Sequence, residues 1–291
     1  STVFYQQNFD GCSDYVFSSN GATSCGWRTV FITNGTCCGG CYNHWRIDAN
    51  EAGATPPNCG YGGGTDKSLY MGATGGLCSW VCSGACFSDD FSTDKRIYLN
   101  SNINFTTGAL YPYDSIVVQF DMIGWGGGTG CTNDYGNFEY STDGGTTWTT
   151  PTDAPWVVVG ALHSSGSTMN RLRTDNSACC GWFGCQGQWT RLRWRIPAAA
   201  MTSTQFRIAF RWRNTPGGCA EDPSFAVDDI RIVGYKAVSA FTSNQYIGPN
   251  GGSWHVAAHW SLNDVPNTST EDAEVPAGKH VVITTGVDVR H

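Results

Sequence analysis

Charge is scarce in this chain. Asp, Glu, Lys and Arg make up 14% of 291 residues, the net charge is -7, and no run of Lys and Arg stands anywhere in it. Nucleic acid is therefore not expected as a partner, because phosphates demand a basic footprint. No stretch approaches the roughly 20 consecutive apolar residues that span a bilayer as a helix, so no transmembrane segment of that kind is expected. Amphipathic helices are missing too. The best candidate, around Ala198-Ala199-Ala200-Met201, is one or two turns long. Neither GxSxG nor HExxH occurs, so His163-Ser164-Ser165 belongs to a loop and His255-x3-His259 to packing rather than to hydrolytic or zinc chemistry.

What fills the space is Gly, at 37 residues, and aromatic residues, at 13%. That composition suits many short strands joined by tight turns. Apolar and polar residues alternate in Ile116 to Met122 and Asn137 to Ser141, with a turn at Asp143-Gly144-Gly145 and a further strand entered by Trp148. Trp189, Arg191, Arg193 and Arg195 share one face of a strand, while Leu192, Trp194 and Ile196 share the other. Phe206, Ile208, Phe210 and Trp212 alternate with Arg207, Arg211 and Arg213. Period two over both segments predicts a half-buried antiparallel sheet with a basic outer face. Strands are also expected at Val3 to Phe9, Ser68 to Met71, Arg96 to Leu99 and Ser224 to Val233.

Fourteen cysteines, Cys12, Cys25, Cys37, Cys38, Cys41, Cys59, Cys78, Cys82, Cys86, Cys131, Cys179, Cys180, Cys185 and Cys219, form an even set in Gly- and Ser-rich surroundings. They predict up to seven disulfides and an oxidising, extracellular compartment. Zinc is the rival at Cys38-x2-Cys41 and at Cys78, Cys82 and Cys86, but no tidy second CxxC completes a tetrahedron. Direct entry into strand sequence at Ser1 without Met fits a mature secreted protein. The stretches 34 to 64 and 74 to 93 exceed ordinary loops, and disulfides are expected to hold them over the ends of the fold.

Residues 1–236 form one expected domain, 237–250 a linker, and 251–291 the start of a second β-rich domain, of β-solenoid or sandwich type. Two short strands in this last part cannot bury a core. The chain is accordingly expected to be the N-terminal part of something larger.

Asn8-Phe9-Asp10, Asp66-Lys67-Ser68-Leu69-Tyr70-Met71, the STDGGTTW run from Ser141 to Trp148, and Phe225-Ala226-Val227-Asp228-Asp229-Ile230 resemble jelly-roll modules of the MAM and reelin-repeat type. The match is to versions in large secreted surface proteins of Bacteroidetes. The segment GGSWHVAAHWSLNDVP…AEVPAGKHVVI resembles the β-helical repeats that follow such modules. The resemblance implies an all-β antiparallel jelly-roll sandwich stapled by disulfides, followed by a short, incomplete β-rich second domain. It also implies export by the type IX route, attachment to the cell surface, and work as an adhesin or filament module without catalysis. Partners would be the secretion machinery in transit, then other surface proteins, further copies or surface polysaccharide. The Cys-dense insertions depart from that family.

Alternation slips by one at Asp228-Asp229, since Phe225 and Val227 share a face with Ile230 and Ile232, which predicts a β-bulge. Jelly rolls resembling this one hold Ca2+ between first and last strands, so Asn8, Asp10, Asp66, Asp228 and Asp229 form the expected oxygen ligand set for a structural calcium. The same two aspartates also suit capping of the bulge, pairing with Arg231, or solvent. Trp125, Tyr135, Trp156, Trp182 and Phe183 sit in or beside Gly/Cys-rich loops and are candidates for stacking on sugars or anchoring partners, which keeps a carbohydrate-binding module accompanying a hydrolase as the alternative. Glu139, Asp143 and Asp89-Asp90 could pair for glycoside chemistry only at suitable separations.

Overall fold

The computed structural model describes residues 1–34, 42–53, 55–60, 64–73, 85, 87–88, 92–125, 134–174, 187–216, 223–236, 243–261, 265 and 272–283. The chain divides into two compact units, Ser1–Lys236 and Ala237–His291. In the first, the strands are β1 (Thr2–Gln7), β2 (Tyr15–Val16), β3 (Thr23–Ser24), β4 (Trp27–Asn34) and β5 (Asn43–Asp48). They continue with β6 (Ser68–Ala73), β7 (Thr93–Leu99), β8 (Ser115–Gly124), β9 (Tyr135–Ser141) and β10 (Trp156–Val159). Last come β11 (Leu162–Thr168), β12 (Arg171–Thr174), β13 (Thr190–Arg195), β14 (Arg207–Asn214) and β15 (Phe225–Tyr235).

Two antiparallel sheets result. One runs β10-β13-β8-β15-β6-β5-β2, with β1 also on β15, and the other runs β11-β12-β9-β14-β7-β4-β3. Period-two burial turns one face of each inward. Phe120, Leu192, Trp194 and Ile232 from the first sheet share a core with Trp27, Ile97, Phe138 and Phe210 from the second. Phe120 and Phe138 stack across the interface with centroids 5.6 Å apart. Each such fully buried side chain is worth about 1.5–3 kcal/mol.

The arginine-rich strands β13 and β14 alternate as their sequences predict, but they lie in different sheets and do not pair. The short 3₁₀ turn Ala198–Ala200 between them carries the chain from one sheet to the other. No strand starts at Trp148. Only Thr149 bridges back to Tyr140, and Trp148 rests against Tyr98. Strands β2 to β5 and β10 to β12 lie where loops or nothing definite were expected. In β11, Leu-His-Ser-Ser-Gly-Ser-Thr lacks apolar alternation, and His163 stands in this strand rather than in a loop.

Cys12 and Cys25 form a disulfide, and Cys59 is also disulfide-bonded. Cys37, Cys38, Cys41, Cys78, Cys82, Cys86, Cys131, Cys179, Cys180, Cys185 and Cys219 lie outside the described residues.

The second unit contains β16 (Ser243–Gln245), β17 (Gly252–Ser253), β18 (Asp272–Glu274) and β19 (Val281–Val282), paired in parallel as β16–β18 and β17–β19. Contrary to expectation it does bury a small core: Tyr246, Trp254 and Trp260, with Val265 and Val281 against them. Three large rings remove enough apolar surface from water to do this with few residues. Of the two histidines expected to pack, His259 does so on Tyr246, its Nδ1 3.1 Å from the Ser253 carbonyl, whereas His255 is exposed.

Candidate functional site

The bulge in β15 organises the most unusual electrostatics in the first unit. Phe225, Val227, Ile230 and Ile232 all enter the core, so one extra residue must be absorbed between Val227 and Ile230. The register against β8 shifts between Asp228 and Arg231, and Asp229 takes φ +47°, a left-handed conformation that Asp tolerates better than branched residues do. The same point divides one edge of β15: Ala226 and Val227 pair with β6, whereas Ile230 to Gly234 pair with β1.

Asp228 faces outward, opposite Asp121 of β8, yet is only 8% exposed. The segment around Gly53 closes over it. A Cβ at Gly53 would lie 2.0 Å from Asp228 Oδ2 and 3.7 Å from Asp66 Cβ, so this position needs glycine for close approach. Asp10 joins from the turn after β1. It accepts hydrogen bonds from the Lys67 N–H at 3.0 Å and from Asn8 Nδ2 at 2.9 Å. Asn8, Asp10, Asp66 and Asp228 thus gather where β1, β6 and β15 meet. Asp229 does not join them: it is exposed and turns toward Arg191, 3.5 Å away.

Burial pushes the Asp228 carboxyl up to about 9, and the negative charges of Asp229, Asp10 and Asp121 add to the shift against a hydrogen bond from the Asp229 N–H. Among the described residues Asp228 makes no ion pair, whereas Asp121 receives two 2.7 Å bonds from Arg191. The donors fit a hard cation in kind: all are oxygens, and the buried member lacks a countercharge. No group of three or more His, Cys, Asp or Glu converges on one point among the described residues. A cation would therefore require the Asp10 and Asp66 side chains to turn toward Asp228.

The aromatic candidates separate. Trp125 is buried, with His163 edge-on at 4.8 Å and the Arg173 guanidinium over its ring, which corrects the expectation of an exposed loop aromatic. Tyr135 is half-buried in β9, beneath Arg171 and bonded through its hydroxyl to Arg213. Trp156, at 62% exposure, presents its ring to solvent. Trp182 and Phe183 lie outside the described residues.

Carboxylates considered for glycoside chemistry have structural duties. Glu139 ion-pairs with Arg96 and Arg211, which hold it below the usual carboxylate range despite burial. Asp143 accepts bonds from the Thr147 and Thr146 N–H groups and the Ser141 and Thr147 hydroxyls, which depress its pKa strongly. Asp89 and Asp90 lie outside the described residues.

One buried group escaped sequence reasoning. Lys95 is fully buried between the sheets, its Nζ bonded to the Asn43 carbonyl, 3.1 Å from His44 Nδ1 and 3.9 Å from the centre of the Phe31 ring. Desolvation lowers it to about 7. The clue was the alternation Thr93, Lys95, Ile97, Leu99, which places Lys95 on the inward face.

No protein-family model matches the chain. No curated protein matches it either.

Proposed function

We infer that the first unit is a non-catalytic, extracellular jelly-roll module that works by adhesion or filament assembly, exported by the type IX route and held at the cell surface. The open edge of the first sheet carries this reading. Among the described residues β10 is one edge strand of this sheet, β2 being the other, and Trp156, Val157 and Val158 are 62%, 42% and 42% exposed in succession. An apolar edge with unpaired backbone groups is a template for another strand. The Cys12–Cys25 disulfide supports an oxidising compartment. The parallel pairs of the second unit support the start of a β-solenoid.

Calcium is the structural partner of this reading. Asn8, Asp10, Asp66 and Asp228 would hold it, supplying charge compensation that ties the first strand to the last. Asp229 is left to Arg191. Sedimentation of the full chain over a concentration series tests the assembly. Concentration-dependent association is expected, and Val158→Lys should abolish it while leaving the monomer folded. A monomer at every soluble concentration would overturn the assembly reading.

A second reading, a carbohydrate-binding module beside a hydrolase, is favoured by Trp156, whose exposed ring lies in register with outward polar residues of the same sheet.

A further inference from the structure

Register across the first sheet aligns five outward residues in one row. Trp156 on β10 stands opposite Arg193 on β13, Arg193 opposite Gln119 on β8, Gln119 opposite Arg231 on β15, and Arg231 opposite Gln6 on β1. Directly opposed residues share a face, so all five project from the outer surface. Trp156, Arg193, Arg231 and Gln6 are exposed and Gln119 is half-buried. Beside the row lies a shallow groove of about 220 Å³, lined by Arg193, Gln119, Arg231, Val117, Val233 and Tyr235.

The charges of this row are unspent. On the other sheet, Arg96, Arg211 and Arg213 are ion-paired with Glu139 and Asp94. On this face Arg191 pairs with Asp121, but Arg193, Arg195 and Arg231 make no ion pair among the described residues. Arg193 bonds only to Gln119, Arg195 only to the Asp114 carbonyl, and Arg231 makes no side-chain hydrogen bond among the described residues. A chain of net charge -7 thus leaves a local cluster of three unneutralised guanidiniums beside an exposed indole.

We propose that this row is a binding site for an acidic polysaccharide, one bearing carboxylate or sulfate groups. The inference rests on the carbohydrate-binding reading and names its ligand class. Arg193 and Arg231 stand two strand spacings apart, about 10 Å, with the amide of Gln119 between them. An extended ligand crossing the strands meets charge, amide and charge in turn, which matches a polymer carrying an acid on alternate sugars. Guanidinium forks bind carboxylate or sulfate through paired N–H donors. Gln119 and Gln6 are placed for hydroxyls, and the Trp156 ring for the face of a sugar. Four strand spacings, about 19 Å, span several sugars.

Titration of the full chain with polygalacturonate, dextran sulfate, neutral dextran and single-stranded poly(dT) tests this. Saturable binding of one or both acidic polysaccharides is expected, weakening with salt. Arg193→Glu and Arg231→Glu should each lose roughly tenfold or more in affinity, whereas Lys279→Glu, the same charge change in the second unit, should lose none. The tighter of the two acidic polymers identifies carboxylate or sulfate as the group read. Neutral dextran binding as well as the acidic polymers, lost in Trp156→Ala but kept in the arginine variants, would overturn the acidic proposal and leave the carbohydrate reading standing. Binding of no polysaccharide would overturn both. Tighter binding of poly(dT) than of either acidic polysaccharide would overturn it in favour of a general polyanion surface.

Discussion

Gly53 shows how a single missing Cβ shapes the acidic cluster. Gly53→Ala would drive a methyl into the Asp228 carboxyl group, and overpacking of this kind costs about 1–3 kcal/mol. Urea unfolding should show that loss, and Asp228→Ala in the same chain should recover most of it; an unaltered curve for Gly53→Ala would mean that the segment moves away freely. Lys95 makes a prediction in pH. Its folded pKa of about 7 lies below the ordinary 10.5, so between those values the unfolded chain binds the extra proton. Stability contributed by this group rises with pH from about 7 to 10.5 and is constant below that window. The whole rise amounts to a few kcal/mol, because each tenfold change in proton affinity is worth roughly 1.4 kcal/mol. His44, lowered to about 4 chiefly by burial and then by Lys95 and Arg46, acts in the separate acid window. Lys95→Met should lower the slope of melting temperature against pH between about 7 and 10.5, where the protonated Asp228 acts in the opposite sense up to about 9; an identical slope in the variant would assign it elsewhere.

The bulge is the feature at element scale that was legible beforehand, because a period of two cannot place Phe225, Val227, Ile230 and Ile232 on one face without an extra residue. Asp229→Gly should be tolerated at its φ of +47°, whereas Asp229→Val should cost about 1–2 kcal/mol by thermal or urea unfolding. Equal stability of the two variants would show that the backbone relaxes there. Strands β8, β9, β13, β14 and β15 were readable for the same reason of alternation. Strand β11 was not: its Ser-Ser-Gly-Ser run owes its extended form to β12, and pairing with a neighbour does not register in local pattern. Alternation also fails to say which strand a strand pairs with, so β13 and β14, neighbours in sequence with matching patterns, ended in opposite sheets.

Across the whole molecule, the first unit buries a core of its own, so a chain ending at Lys236 should fold and keep its melting transition. Calorimetry of that truncation decides it, and a lowered transition would make the units interdependent. Calcium should raise the same transition, by about 2.7 kcal/mol of stability at a concentration 100 times the dissociation constant, and chelator should reverse the rise. A curve unmoved by either would refute a structural calcium. Composition and periodicity alone determined that the chain is β-rich and antiparallel, that its aromatic stripes are core, and that Asp228-Asp229 interrupts a strand. These are properties of neighbouring residues, and side-chain direction alternates whatever the partner strand. Tertiary structure decided the rest. It buried Trp125 and left Trp156 bare, drew Asp10, Asp66 and Asp228 together while turning Asp229 to Arg191, and set Trp156, Arg193, Gln119, Arg231 and Gln6 in one row. Each of those outcomes depends on registers between strands remote in sequence, Gln6 against Arg231 at opposite ends of the first unit being the extreme case, and no local pattern encodes such a pairing.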